Sequence, residues 1–415
     1  MRRLAAGLCA LIFLAGAPLA SALAEGRGET ERRFAAWLSR DLWPEARAAG
    51  ISRATFDRAL GRVNVQWDLP DIAVPGSDGG KPQVQRQAEF GAPAAYFAER
   101  NLRVVVEGGS QRARRHARLL AEIERRYGVP GHILIAIWGR ESGFGAAKIP
   151  HDAFAVLATK SFLSPRRDMF RAELIAALTM VESGRARPED MKSSWAGALG
   201  QPQFLPSSFL AHAVDFDRDG QADIWNSVPD TLASIANYLK HHGWDPARDW
   251  GFEVVVPERV SCALEGPDRG RTIRQWAETG ITRVSGRPFP AAELDREGYL
   301  LMPAGRHGPA FIVTPNFYVL KKYNESDLYA LFVGHGGDRI AYGSRPFVTP
   351  WQDVGRMYRS DIAAMQRVLE GKGMDVGGAD GLPGFRTRRS IGEWQAARGE
   401  RPTCFPTPAL LGVIR

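Results

Sequence analysis

Three cysteines in 415 residues are too few for a disulfide-stapled scaffold, and none stands at the spacing of a structural zinc site. There is no glycine-rich phosphate loop and no nucleic-acid-reading module, which sets aside P-loop chemistry and leaves no nucleic acid among the expected partners. Tandem repeats and low-complexity tracts are also missing, so the chain is not a solenoid or a disordered tether. The one long apolar stretch, residues 4–19, is too short and too closely followed by small residues to be a stable membrane span.

That stretch instead reads as an export signal. Arg2 and Arg3 precede it, and Ala22-Leu23-Ala24 gives a small-x-small cleavage pattern before Glu25. Residues 1–24 are therefore expected to be removed and the mature chain to be secreted. Their loss lowers the formal charge from +8 to +6. The remaining basic excess is spread, with local concentrations at Arg112, Arg114, Arg115, Arg118, Arg125 and Arg126, and suits an anionic partner without choosing one. A 44% hydrophobic content is that of a globular chain of two or three domains. Cys262 and Cys404 could pair in an oxidising compartment or remain two thiols.

The most informative stretch is 130–145, PGHILIAIWGRESGFG. A proline suited to a helix start leads into an apolar run, and the run ends in Arg140 and Glu141. Ile133, Ile137 and Glu141 fall at steps of four, so the carboxyl shares a face with buried aliphatic side chains. Burial disfavours the charged form, which would make Glu141 a proton donor near neutrality. Gly143 and Gly145 end the helix. The plainer alternative is a helix-end glutamate paired with an arginine.

Helical periodicity covers 29–61, 94–106 and 112–127, and an irregular Pro- and Gly-rich loop is expected over 63–90. Further helices are predicted over 153–163, 167–184 and 228–242. Between the last two lies SSWAGALGQPQFLPSSF, residues 193–209, a close-packed loop that could present Ser194, Gln201 and Gln203 to a cleft. Residues 215–226, DFDRDGQADIWN, place Asp215, Asp217 and Asp219 at alternate positions before Gly220, as in an EF-hand loop. The twelfth-position glutamate is replaced by Asn226, so Asp230 is the next carboxylate able to close a cage. This predicts a structural Ca2+ held by Asp215, Asp217, Asp219, Gln221 and Asp230, against a solvated turn. Short β signals follow at 252–256, 299–302 and 311–313, then helices around 316–320 and from 326 onward. Pro346 and Pro350 mark a linker, placed at 348–355, before a tail of two clear helices, 361–371 and 387–398.

Taken together, ESGFG, SWAGALGQPQFLPSSF, the aspartate loop ending in DIWN, and NFYVLKKYNESDLYA resemble the membrane-bound lytic transglycosylase B family. The tail, with IAAMQRVLEGKGM, ADGLPG and RTRRSIGEWQAARG, resembles the small three-helix peptidoglycan-binding module of wall enzymes. The resemblance implies a mainly α fold: a lysozyme-like (α+β) catalytic domain over 25–347 with a small β element and an EF-hand-like loop, plus a small three-helix C-terminal domain over 356–415. It implies cleavage of the β-1,4 bond between N-acetylmuramic acid and N-acetylglucosamine with formation of a 1,6-anhydromuramic end. Glu141 matches the family's acid and base. Ser194, Gln203, Tyr238, Tyr323 and Asn324 match its sugar cleft, to which Tyr96 and Tyr329 are added. No cofactor is expected for catalysis. Peptidoglycan glycan strands are the expected partner of a monomer, with other cell-wall enzymes as candidate partners. Two alternatives stand beside this reading: a hydrolytic muramidase using a second carboxylate such as Asp152 or Asp190, and a catalytically silent wall-binding scaffold.

Overall fold

The computed structural model describes residues 17–73, 93–343 and 345–414. In chain order the helices are α1 (Ala17–Trp37), α2 (Trp43–Ala48), α3 (Arg53–Leu60), α4 (Pro93–Tyr96), α5 (Glu99–Arg115), α6 (Ala117–Tyr127), α7 (Gly131–Ser142), α8 (Ala153–Leu163) and α9 (Arg167–Glu182). They continue with α10 (Pro206–His212), α11 (Val228–His241), α12 (Ile273–Glu278), α13 (Pro315–Tyr323), α14 (Asp327–Tyr342), α15 (Arg359–Gly371), α16 (Phe385–Ala397) and α17 (Pro408–Val413). The strands are β1 (His151–Asp152), β2 (Lys192–Ser193), β3 (Gly251–Val255), β4 (Arg271–Thr272), β5 (Thr282–Arg283), β6 (Glu297–Leu301) and β7 (Ala310–Val313). Residues 17–24 of the expected export signal open α1; the rest of that signal, and residues 74–90 of the expected irregular loop, lie outside the described residues. No described helix is long and apolar enough to cross a membrane.

The expected single catalytic domain divides into two compact units. One holds the described residues up to 73 together with Lys148–Ala211; the other holds those from 93 to Ala147 and from His212 to 414. In the first, α8 and α9 form the central pair. Ala153 to Ser161 of α8 are all buried because that helix is apolar nearly all round. Asp152 caps it, accepting from the Ala155 amide at 2.9 Å, and Ser52 caps α3 in the same way through Thr55. Lys160 is buried on α8: its ammonium donates to the Pro70 carbonyl at 2.8 Å and lies over the Trp195 ring. Burial pulls it down to about 8.

In the second unit α7 is the axis. Residues Ile133 to Gly139 are fully buried, and α5, α6, α11 and α14 pack around them. Gly143 ends the helix at φ +56, a left-handed conformation suited to glycine, and the Phe144 amide closes the turn onto the Trp138 carbonyl at 3.3 Å. An antiparallel sheet of strand order β4-β6-β7-β3-β5 lies in the same unit, Tyr299 pairing Val313 and Gly251 pairing Val313 from the other side. Its core strand β7 is buried at every residue. The sequence signals at 252–256, 299–302 and 311–313 mark β3, β6 and β7; the two-residue strands β4 and β5 carry too little pattern to be read in advance.

The C-terminal three helices are α15, α16 and α17, and they share a small core of Met365, Leu369, Val376, Ile391, Trp394, Leu410 and Ile414. The expected linker and C-terminal domain make contacts with the rest of their unit. The tail belongs to the same compact unit as α7 and the sheet. Within the proposed linker Trp351 stacks on Phe97 with ring centroids 5.0 Å apart, and the Val348 and Thr349 amides donate to Glu253. Cys262 and Cys404 form a disulfide, which resolves the open alternative in favour of pairing. Beside it, Gly305 sits at φ +55 with the Thr403 carbonyl so close that an added Cβ would lie 2.0 Å from its oxygen. A side chain at 305 would push the tail off.

Candidate active site

Glu141 lies in the last turn of α7, half-buried, where the preceding aliphatic face has carried it. The helix's C-terminal carbonyls disfavour negative charge at this end. Opposing that, the Tyr329 hydroxyl donates a short hydrogen bond to Glu141 Oε1, and donation to a carboxylate favours its ionised form.

Tyr329 is buried in the first turns of α14, and its ring is parallel to that of Tyr323 with centroids 6.4 Å apart. Burial first, and the Glu141 charge second, push both phenols far up, so they remain neutral donors across the working pH range. Tyr238 extends the row: its ring meets Tyr323 edge-on at 5.0 Å, and its hydroxyl donates to the Lys322 carbonyl at 2.5 Å. Burial raises it to about 12. Asn324 forms the turn between α13 and α14, accepting from the Ser326 amide at 3.0 Å, while Ser326 caps α14. The structure therefore assembles Glu141, Tyr329, Tyr323 and Tyr238 with Asn324 at the adjoining turn.

The three other expected residues each have local contacts of their own. Tyr96 is a buried core residue whose hydroxyl accepts from Arg140 Nη2 at 3.0 Å, with the Arg140 guanidinium over its ring. It supports the helix end from the side Arg140 faces. Ser194 and Gln203 belong to the first unit. The Ser194 hydroxyl accepts from the Ala196 and Ala198 amides, and Gln203 donates from Nε2 to the Gly200 carbonyl at 2.8 Å. Their loop is a folded structure in its own right, with bridges pairing Ser193 with Leu199 and Leu199 with Phe204. Gln203 is held at φ +55, a strained conformation for a residue with a Cβ.

In the aspartate loop, oxygens of Asp215, Asp217 and Asp230 lie within 4.8 Å of one another. Asp230 is buried and accepts from the Phe216 and Asp223 amides, each at 2.8 Å. Burial, helped by Asp217, nevertheless pushes it upward. Asp219 and Gln221 are exposed, and the Asp219 carboxylate accepts from the Gln221 amide at 2.9 Å.

A cavity of about 590 Å³ opens between the α13–α14 turn and the loop before α16, lined by Asn324, Ser326, Asp380, Phe385, Arg386 and Phe405; neither Glu141 nor Tyr329 lines it. Sequence reasoning missed the ionic seam under this cavity, where Arg388 meets Asp327 and Glu265. The only local signal was Asp327 at the start of a helix six residues after Lys321.

Residues 33–338 match the model of the transglycosylase SLT domain family. The chain belongs to this family. Across 216 residues it is 34% identical to membrane-bound lytic murein transglycosylase B of Escherichia coli K12. That match covers 52% of the chain and 58% of the relative, so the chain spans little more than half the length of that curated protein. Among solved structures of the SLT family, SltB3 of Pseudomonas aeruginosa, crystallised with NAG-anhNAM-pentapeptide, is 36% identical with a TM-score of 0.80; 92% of this chain and 99% of that one are covered. The Escherichia coli lytic transglycosylase Slt35, crystallised with calcium, is 29% identical with a TM-score of 0.52 over 62% of this chain and 80% of its own. The fold is the lysozyme-like, mainly helical one expected of the family.

Proposed function

We propose that the chain is a lytic murein transglycosylase that cleaves the β-1,4 bond between N-acetylmuramic acid and N-acetylglucosamine in peptidoglycan, leaving 1,6-anhydromuramic ends. The observation that carries the reading is the hydrogen bond from Tyr329 to Glu141 at the end of α7. It fixes one carboxyl oxygen and leaves the carboxyl oriented for proton transfer. Protonated Glu141 donates to the departing glycosidic oxygen as the muramyl C1–O bond breaks. The muramyl C6 oxygen then bonds to C1, and its proton passes to the Glu141 carboxylate, restoring the acid. No water is consumed, and the tethered hydroxyl replaces the second carboxylate that ordinary glycosidases require. Tyr323 and Tyr238, neutral and aromatic, supply walls on which a sugar can pack, and Ser194 and Gln203 are read as further contacts to the glycan.

The residues weighed as a second carboxylate have structural roles instead. Asp152 caps α8, and Asp190 accepts from Arg187 at 2.6 Å. This favours the lytic reaction over hydrolysis. The disulfide supports export to an oxidising compartment such as the periplasm, in line with the signal pattern of residues 1–24. The tail is read as a peptidoglycan-binding element. The Asp215, Asp217 and Asp230 oxygens are read as a structural Ca2+ site: a buried carboxylate beside a second one is the donor set a hard cation stabilises. Calcium takes no part in the reaction. Mass spectrometry of sacculi digested by the chain tests the main reading. Anhydromuramyl products that vanish with Glu141→Gln are expected; reducing muramyl ends in their place would make the enzyme a hydrolase, and no cleavage at all would leave the scaffold reading.

A further inference from the structure

The C-terminal helix α16 reaches the active-site turn through an unbroken set of charged contacts. Arg388 is 3% exposed and forms a two-pronged pair with the fully buried Glu265, Nε to Oε1 at 2.9 Å and Nη2 to Oε2 at 3.0 Å. The Met302 amide also donates to Glu265, at 3.1 Å, so this end of the network is anchored to the chain just after β6. Arg388 Nη2 further donates to Asp327 Oδ2 at 3.0 Å, and the other Asp327 oxygen accepts from Lys321 Nζ at 2.6 Å. Burial alone would raise Asp327, but Lys321 and Arg388 outweigh it and hold it at about 2, fully ionised.

Asp327 is the first residue of α14, and Tyr329, two residues on, is the donor to Glu141. Lys321 stands two residues before Tyr323, whose ring faces Tyr329. The Lys321–Asp327 pair therefore closes the α13–α14 turn from below, and Arg388 fastens that pair to the tail. Without Arg388, Asp327 would keep one cation in place of two, and the start of α14 would be held on one side only.

We propose that Arg388 is a positioning residue for the active site: by holding Asp327, it sets the register of the α13–α14 turn in which Tyr329 engages Glu141. The tail is then part of the catalytic apparatus in addition to any wall binding it performs. This rests on Glu141 as the acid.

Replacing Arg388 by a neutral residue would leave Glu265 buried and unpaired, so the informative variants are milder. Arg388→Lys keeps the charge but loses the planar fork that serves both carboxylates. Asp327→Asn keeps the shape and removes the charge. Each is compared with the parent on soluble glycan strands, with thermal melting as the folding check and sacculus pelleting as the binding check. Misplacement of an acid's partner by about an ångström costs up to roughly a hundredfold in rate, so a kcat loss of about tenfold or more, with KM little changed and pelleting intact, is expected. The decisive arm is Tyr329→Phe. If Arg388 acts through Tyr329, adding Arg388→Lys to Tyr329→Phe lowers kcat no further. Full multiplication of the two losses, or an Arg388→Lys variant with parental kcat, overturns the proposal. Anhydromuramyl products from the parent would in either case leave the functional reading in place.

Discussion

The disulfide gives a stability prediction that can be worked through. Cys262 and Cys404 are both fully buried and lie 142 residues apart, so the bond closes a loop holding β4, β5, β6 and β7 of the sheet, α13, α14 and most of the tail. Removing loop-closure entropy from the unfolded chain over that separation is worth about 5 kcal/mol in the chain-entropy model. For large domains each kcal/mol moves the melting point by roughly 2–4 °C, which predicts a fall of about 10–20 °C for Cys262→Ala/Cys404→Ala. The folded state should change little. Arg388 still binds Glu265, Arg389 still binds Asp268 at 2.9 Å, and the Arg306 amide still donates to Thr403 at 2.9 Å. The double variant is therefore expected to cleave sacculi at room temperature and lose activity early on heating. Calorimetry measures the shift, and thiol titration of the denatured, unreduced parent counts free cysteines. Free thiols at both positions in the exported protein, or a melting point within about 3 °C of the parent, would refute the reasoning.

Two further outcomes follow from single carboxyls. Burial raises Asp338 to about 7, above its unfolded value, although the Trp250 indole donates to it at 3.0 Å. Its burial therefore costs stability, a cost absent below about pH 4, growing between about pH 4 and 7 and constant above that. Asp338→Asn keeps an acceptor for Trp250, so its melting point relative to the parent should rise between about pH 4 and 7 and then level off, and a constant difference across that range would contradict this. If the aspartate loop holds calcium, saturating ion at about a hundredfold over Kd should stabilise the parent by about 2.7 kcal/mol and Asp230→Asn much less. No calcium shift in the parent would leave a solvated turn.

How much was legible beforehand depended on how local the cause was. The α7 axis was readable because Pro130, an apolar run and Gly143 lie within one short segment, and the same holds for α8, α9 and α11. Glu141 could be placed on a buried face by its spacing from Ile137. What could not be read were partners chosen across the chain. Arg386, Arg388 and Arg389 look from sequence like the wet side of a helix, yet Arg388 and Arg389 find acids on other elements 61 to 123 residues away. The tail's union with the sheet was invisible for the same reason. The hydrogen bond from Arg140 to Tyr96, 44 residues earlier, is another contact that no local pattern announces.

The tyrosine that orients Glu141 stands 188 residues after it, and the unit containing both is interrupted by the segment 148–211. Such distant contacts form late and slowly. A ribosome must have produced α14 before Glu141 has its partner, and must reach Cys404, 142 residues after Cys262, before the disulfide can lock the unit. A truncated or half-folded chain thus holds the acid without the arrangement that directs it. On the proposed function, synthesis of the chain is thereby separated in time from its power to cut.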